Sequence, residues 1–424
     1  MIGGSFLTSA KSRLLPASVP FRFFATASVF HVALWAALVA AADEFVQFRG
    51  GVGPSLGAVH LLTVGVLVMT AIGAALQLLP VATARPIAAI WPAKAGYWLV
   101  GPGAVALAAG MYAGNIAVMI GGASACAAAV LLFAWLLAEN LIRAGSMPIV
   151  RVYGWTALGS LLLLVAFGVV LSLDDRIGFL HDHGGVALAH MVFGVFGFMG
   201  MLAFGFSHVL VPMFALSHAP KPRQAWAGFA LAGAALVAAA GAALVDWPPA
   251  LVVACVLGLA AALLHVRLMA AVLAAGMRKR LGLSFVLVRI SWAFLVLTPL
   301  VGLAAAQGWA GPRGPTLFGL VALGGWLMTF LFAILQRIMP FLASMHTSRS
   351  GGAPLLLSAI GSGRPLTVHA CCHVLAIAGL AAAIVSNSGR VAMVAAGVGL
   401  AGAVAFAAFV AGVLRTVHSN RPES

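Results

Sequence analysis

With 424 residues, 63% of them hydrophobic and 7% charged, the chain has far too little polar surface to fold in water, and a mean hydropathy of +1.13 marks it as an integral membrane protein. This excludes soluble enzymes, secreted disulfide scaffolds and disordered proteins. The net charge of +15 comes from 23 Lys and Arg spread thinly along the chain, a pattern that fits basic cytoplasmic loops and gives no nucleic-acid-binding patch.

At the amino terminus Lys11, Arg13 and Arg22 precede an apolar run that ends at Ala40-Ala41-Ala42. The run, near 23–42, is longer than the roughly 7–15 residues of a signal-peptide core, so it reads as a retained first span. Further apolar windows fall near 55–79, 95–112, 115–138, 154–173, 185–212, 225–245, 249–275, 284–306, 316–340, 367–386 and 391–414. The expected fold is an all-α polytopic bundle of about twelve transmembrane helices. It forms one membrane domain over 1–424, with a short cytoplasmic segment 1–22 and a cytoplasmic tail 415–424. Cys126, Cys255, Cys371 and Cys372 all lie within apolar segments and suggest no disulfide framework.

Loop charge tests this count, because Lys and Arg gather in short cytoplasmic loops. With the amino terminus inside, the inner connections hold Arg85, Lys94, Arg143, Arg151, Lys221, Arg223, Arg278-Lys279-Arg280, Arg349 and Arg364. The outer loops hold Arg49, Arg176, Arg313 and Arg390, together with Asp43, Glu44, Asp174, Asp175, Asp182 and Asp246. A missed helix would scramble this sorting downstream, so both termini are expected in the cytoplasm.

Helices four apart resemble one another. Helix 2 runs from His60 to Pro80, helix 6 from His190 to Pro212, and helix 10 ends Leu335-Gln336-Arg337-Ile338-Met339-Pro340. The prolines are 132 and 128 residues apart. A four-helix unit preserves orientation, so three such arcs account for twelve spans, although proline also ends helices for purely local reasons.

Histidine is the informative residue. An imidazole in hydrocarbon is costly unless it lines a cavity, pairs or ligates, and neutral imidazole suits iron, copper and zinc. His60 and His190 both begin out-to-in helices and share a depth. His183 precedes His190 by two turns, and His181 lies just beyond it. His60, His190 and His183 are candidate haem ligands, and His181 and His183 are candidate metal ligands; hydrated loop residues or backbone donors are the bland alternative. A lower group comprises His369 and His373, four apart on helix 11 around Cys371 and Cys372, with His208 and His265 in helices 6 and 8. His369, His373 and Cys372 are candidate copper or zinc ligands, against ordinary packing by small residues. His31, alone in mid-helix 1, is expected to make an interhelical hydrogen bond. Arg267 and Arg289 are expected to snorkel to the inner interface, with a pairing of Arg289 and Glu139 as the alternative.

The stretches His60-Leu61-Leu62-Thr63-Val64-Gly65, Gly73 to Pro80, His181-Asp182-His183 and Val209-Leu210-Val211-Pro212-Met213-Phe214 resemble divergent relatives of haem-copper oxidase subunit I. NnrS-type haem and copper proteins, tied to nitric-oxide tolerance, are a second neighbour. The resemblance implies three four-helix arcs in a bacterial-type inner membrane, with haem held near the outer face by His60 and His190 or His183. Arg49 and Arg176 would then lie where haem propionates emerge. An electron donor or respiratory assembly partner is implied beside the lipid bilayer. The departures are specific: the outer half of helix 10 has no histidine, and none occurs between His218 and His265. Oxidase catalysis is therefore not carried over, and whether the chain is an enzyme stays open. Two functions remain. One is a haem-binding, and on this resemblance also copper-binding, protein of redox chemistry, gas sensing or nitric-oxide defence. The other is a secondary transporter or metal permease using intramembrane histidines as relay or transient ligands, for which Gly101-Pro102-Gly103 is the one candidate helix break.

Overall fold

The computed structural model describes residues 15–87, 89–245, 247–349 and 363–419. Lys11, Arg13, Asp246 and the end of the expected tail lie outside them. Every regular element among the described residues is helical, as a chain in hydrocarbon requires when its backbone must satisfy its own hydrogen bonds. Twelve long helices follow in order: α1 Ser18–Ala40, α2 Pro54–Val81, α3 Trp91–Ala113, α4 Ile116–Arg143, α5 Pro148–Ile177, α6 His183–Ala215, α7 Pro222–Val245, α8 Pro248–Ala275, α9 Leu283–Ala306, α10 Gly311–Thr347, α11 Gly363–Ser386 and α12 Gly389–Ser419. Among the described residues, eleven are long and apolar enough to cross a membrane. The other, α3, is 23 residues long, carries Lys94 near its start and runs unbroken through Gly101-Pro102-Gly103. The expected break there is absent; the helix simply absorbs the proline.

Local chemistry sets the helix ends. Asn115 caps α4 by accepting the Val118 amide at 3.2 Å, and Asp182 caps α6 by accepting from Gly185 at 2.8 Å. Gly114 and Gly178, both at φ 64°, end α3 and α5 in the left-handed conformation that glycine adopts without penalty. In the turn Ala42–Phe45, Glu44 accepts the Ser55 amide at 3.0 Å and so neutralises the amino end of α2. Arg313 donates to the last carbonyls of α11, Ile384 and Val385, each at 3.1 Å.

Consecutive helices pack as hairpins, and α12 returns to lie along α1, closing the ring. Within it α10 and α2 are the most enclosed spans, with 72% and 67% of their apolar windows buried, whereas α5 shows 22% and faces outward. Each of α2, α6 and α10 contains a π-helical segment: Leu61–Val68, Phe193–Gly200 and Leu320–Met328. Their starts are 132 and 127 residues apart, close to the proline spacing. In each segment one glycine takes a side chain of the preceding helix. A Cβ would lie 2.6 Å from Phe30 at Gly65, 2.4 Å from Ser160 at Gly197 and 2.5 Å from Phe294 at Gly325. The threefold repeat is thus a repeated packing unit: α2 on α1, α6 on α5 and α10 on α9, each joined through glycine.

We call the face carrying loops 46–53 and 178–182 upper.

Candidate functional site

Beneath the upper face lies a cavity of about 530 Å³, walled by α1 to α6, α10 and α11. That volume is in the range of small-molecule and cofactor sites, roughly 300–1,000 Å³. Its walls are mainly aliphatic and aromatic, and the few polar side chains among them include His60, His183, His190, Arg49 and Asp175.

His60 and His190 reach the cavity because both stand just before the π segments of the enclosed helices α2 and α6. Each ring is tethered the same way. His60 Nδ1–H donates to Leu56 O at 3.0 Å, one turn back, and His190 Nδ1–H donates to Leu164 O of α5, also at 3.0 Å. With the proton held on Nδ1, each ring keeps its lone pair on Nε2, the tautomer and orientation typical of a metal-binding histidine. Both imidazoles line the same cavity. Close to the His190 ring, α5 presents Gly168, where a Cβ would sit 3.1 Å from His190 Cε1.

His183 lies higher, at the rim. Its Nδ1 bonds Asp174 Oδ2 at 2.7 Å, while Asp174 Oδ1 accepts the Leu180 amide at 2.6 Å. One carboxylate thereby shapes the α5–α6 loop and orients an imidazole that lines the cavity. Arg49 belongs to the same rim. Arg176 and His181 are exposed and are not among the lining residues, so the structure separates them from His60, His183 and His190. Neither had a sequence signal for its direction: Arg176 stands in the last turn of α5 and His181 in the loop that follows.

The lower candidates split into two groups. His369 and His373, on one face of α11, meet His31 of α1, and ligand-capable atoms of all three rings lie within 4.8 Å of one another. His31 therefore is not solitary, and its bond is not interhelical: Trp35 Nε1 donates to His31 Nε2 at 2.9 Å within α1. Cys372 instead turns toward α12, its Cβ against Gly402, and Cys371 is exposed. His208 and His265 form a separate aromatic group in which the His265 ring stacks on Phe204 at 4.1 Å between centroids. Glu139 pairs with Arg143 on its own helix, and Arg267 and Arg289 are exposed on α8 and α9, as snorkelling requires.

No protein-family model and no curated protein matches the chain. Among solved structures it is similar to a haem-copper terminal oxidase seen as a dimer by cryo-electron microscopy. The TM-score is 0.62 at 10% sequence identity, over 97% of this chain and 85% of the oxidase chain. At that identity the likeness is one of fold: the chain is a multi-pass membrane protein with an oxidase-like arrangement of helices.

Proposed function

We propose that this oxidase-like membrane protein binds haem in the upper cavity, where His60 and His190 would hold it, and acts in electron transfer linked to redox or gas chemistry. The observation that carries the reading is the matched tethering of the two rings. Histidines from two enclosed helices line one apolar cavity, and each has its Nδ1 proton committed to a backbone carbonyl, so both offer Nε2. A haem held there would supply one-electron exchange at its iron.

The chain's own residues do the rest. Leu56 O and Leu164 O hold the two rings in the ligating tautomer. The apolar walls favour a flat hydrophobic group and exclude water. Arg49 at the rim supplies a guanidinium for carboxylates, a charge-assisted contact that fixes orientation. His183, braced by Asp174, places a hydrogen-bonding imidazole at the mouth. Ligation by two histidines suits an electron carrier better than an oxygen reductase, in keeping with the lack of histidine in the outer half of α10. The transporter alternative, which rested on intramembrane histidines, predicts broken helices, and the one candidate break lies in α3, which is continuous.

The test is the absorption spectrum of protein purified after expression with ample haem. A Soret band with low-spin bis-imidazole features is expected, and it should disappear in His60→Ala and in His190→Ala while both variants stay monodisperse. A colourless wild-type preparation would overturn the proposal.

A further inference from the structure

A second site lies below the cavity floor, on the α1–α11 side of α10. His31, His369 and His373 are 1%, 0% and 2% exposed, and each offers a ring nitrogen within 4.8 Å of the others. Four of their six nitrogens, His31 Nδ1, both nitrogens of His369 and Nδ1 of His373, are buried with no hydrogen-bond partner. Buried polar atoms are almost always satisfied, and a cluster of exceptions calls for an ion or water. Phe332 and Phe406 close around the rings, with centroids 4.2 Å from His31 and 4.8 Å from His369. An apolar cage with three imidazoles pointing inward is poor packing by itself and a good shell for a metal.

We infer that His31, His369 and His373 form a three-imidazole site for a late first-row transition-metal ion, separate from the cavity of His60 and His190. The ligand type selects copper or zinc over magnesium or calcium. Among the described residues no carboxylate or thiolate joins the cluster, so the charge of the ion goes uncompensated in the membrane interior. The cost of burying charge rises steeply with its magnitude, which favours monovalent copper. His373 is already poised. The Thr329 hydroxyl lies 3.0 Å from Gly324 O and 2.7 Å from His373 Nε2. When it donates to the carbonyl it accepts from Nε2–H, leaving the Nδ1 lone pair for the ion.

His31 carries a built-in reporter. Its Nε2 accepts from the Trp35 indole at 2.9 Å. A metal on Nε2 takes that lone pair, and a metal on Nδ1 moves the ring proton to Nε2, against the indole N–H. Either way the Trp35 bond is given up on binding. Trp35 also lines the upper cavity, so occupancy below can be felt above.

The experiment uses the full chain without an affinity tag, stripped of metal and titrated in detergent with Cu(I) under anaerobic conditions, then with Cu(II) and Zn(II) in separate arms. One equivalent should bind, with Cu(I) held at least tenfold tighter than Zn(II), and with a fluorescence change that Trp35→Phe removes. X-ray absorption of the copper-loaded wild type should show nitrogen donors only. His369→Leu places an apolar group in an apolar cage, so it should keep the melting temperature of the metal-free protein and lose at least tenfold in copper affinity. The same stoichiometry should persist in His60→Ala, which separates this site from the haem reading. Failure of the wild type to bind one equivalent, sulfur in the copper shell, or unchanged copper affinity in a folded His369→Leu would each overturn the inference.

Discussion

At the scale of single residues, what matters is which atom of each imidazole is committed. His60 and His190 differ in sequence context yet reach the same state, because each Nδ1 finds a carbonyl that the surrounding helices leave in reach. Gly168 keeps that state unstrained on the His190 side. In Gly168→Ala the new methyl forces the ring to give by a few tenths of an ångström, so we expect a folded protein whose Soret band is shifted or partly high-spin. His183→Ala should retain the band, since His183 sits at the rim and is braced by Asp174; loss of the band would mean that His183, in place of His190, holds the haem. Lower down, Thr329→Val would leave the His373 Nε2–H buried without an acceptor. Such orphaned groups cost about 1–3 kcal/mol, read as a lower melting temperature of the metal-free protein.

At the scale of elements, α2, α6 and α10 carry the architecture. Their π segments coincide with glycines that admit Phe30, Ser160 and Phe294, and π segments often occur at functional sites. Close approach there lets the histidines just before two of these segments reach a shared space. Gly65→Ala or Gly325→Ala would drive a methyl into an aromatic ring, the buried Phe30 or the half-buried Phe294, and overpacking of this kind costs about 1–3 kcal/mol, measurable as a fall in melting temperature. The signal was present in the sequence. Gly65, Gly197 and Gly325 are 132 and 128 residues apart, the same spacing as Pro80, Pro212 and Pro340, and aligning the prolines would have exposed the glycines. The π conformation itself was not legible, because no propensity distinguishes Leu61–Val68 from an ordinary apolar α-helical stretch.

At the scale of the whole molecule, the return of α12 onto α1 and the enclosure of α10 and α2 decide which side chains see one another. Gly399 of α12 lies against the Trp35 ring, where a Cβ would be 2.3 Å from Cε3. Ring closure thereby fixes the residue that touches both the upper cavity and His31. The orientation of this ring in the bilayer rests on loop charge and is open to direct test. In a background without native cysteines, Phe179→Cys should react with an impermeant maleimide from the external side. Ala219→Cys should react only in inverted vesicles.

The polytopic helical bundle, the repeat of order three and the upper group of histidines followed from the sequence alone. Hydropathy, loop charge and the few polar residues in hydrocarbon are all one-dimensional signals with a large energetic basis. The partnership of His31 with His369 and His373, the turning away of Cys372, and the separation of His181 and Arg176 from the cavity were decided only by tertiary structure. The physical reason is rotation: an almost wholly apolar helix has no polar face to declare which way it looks, so the azimuth of each side chain is set by the neighbours it packs against.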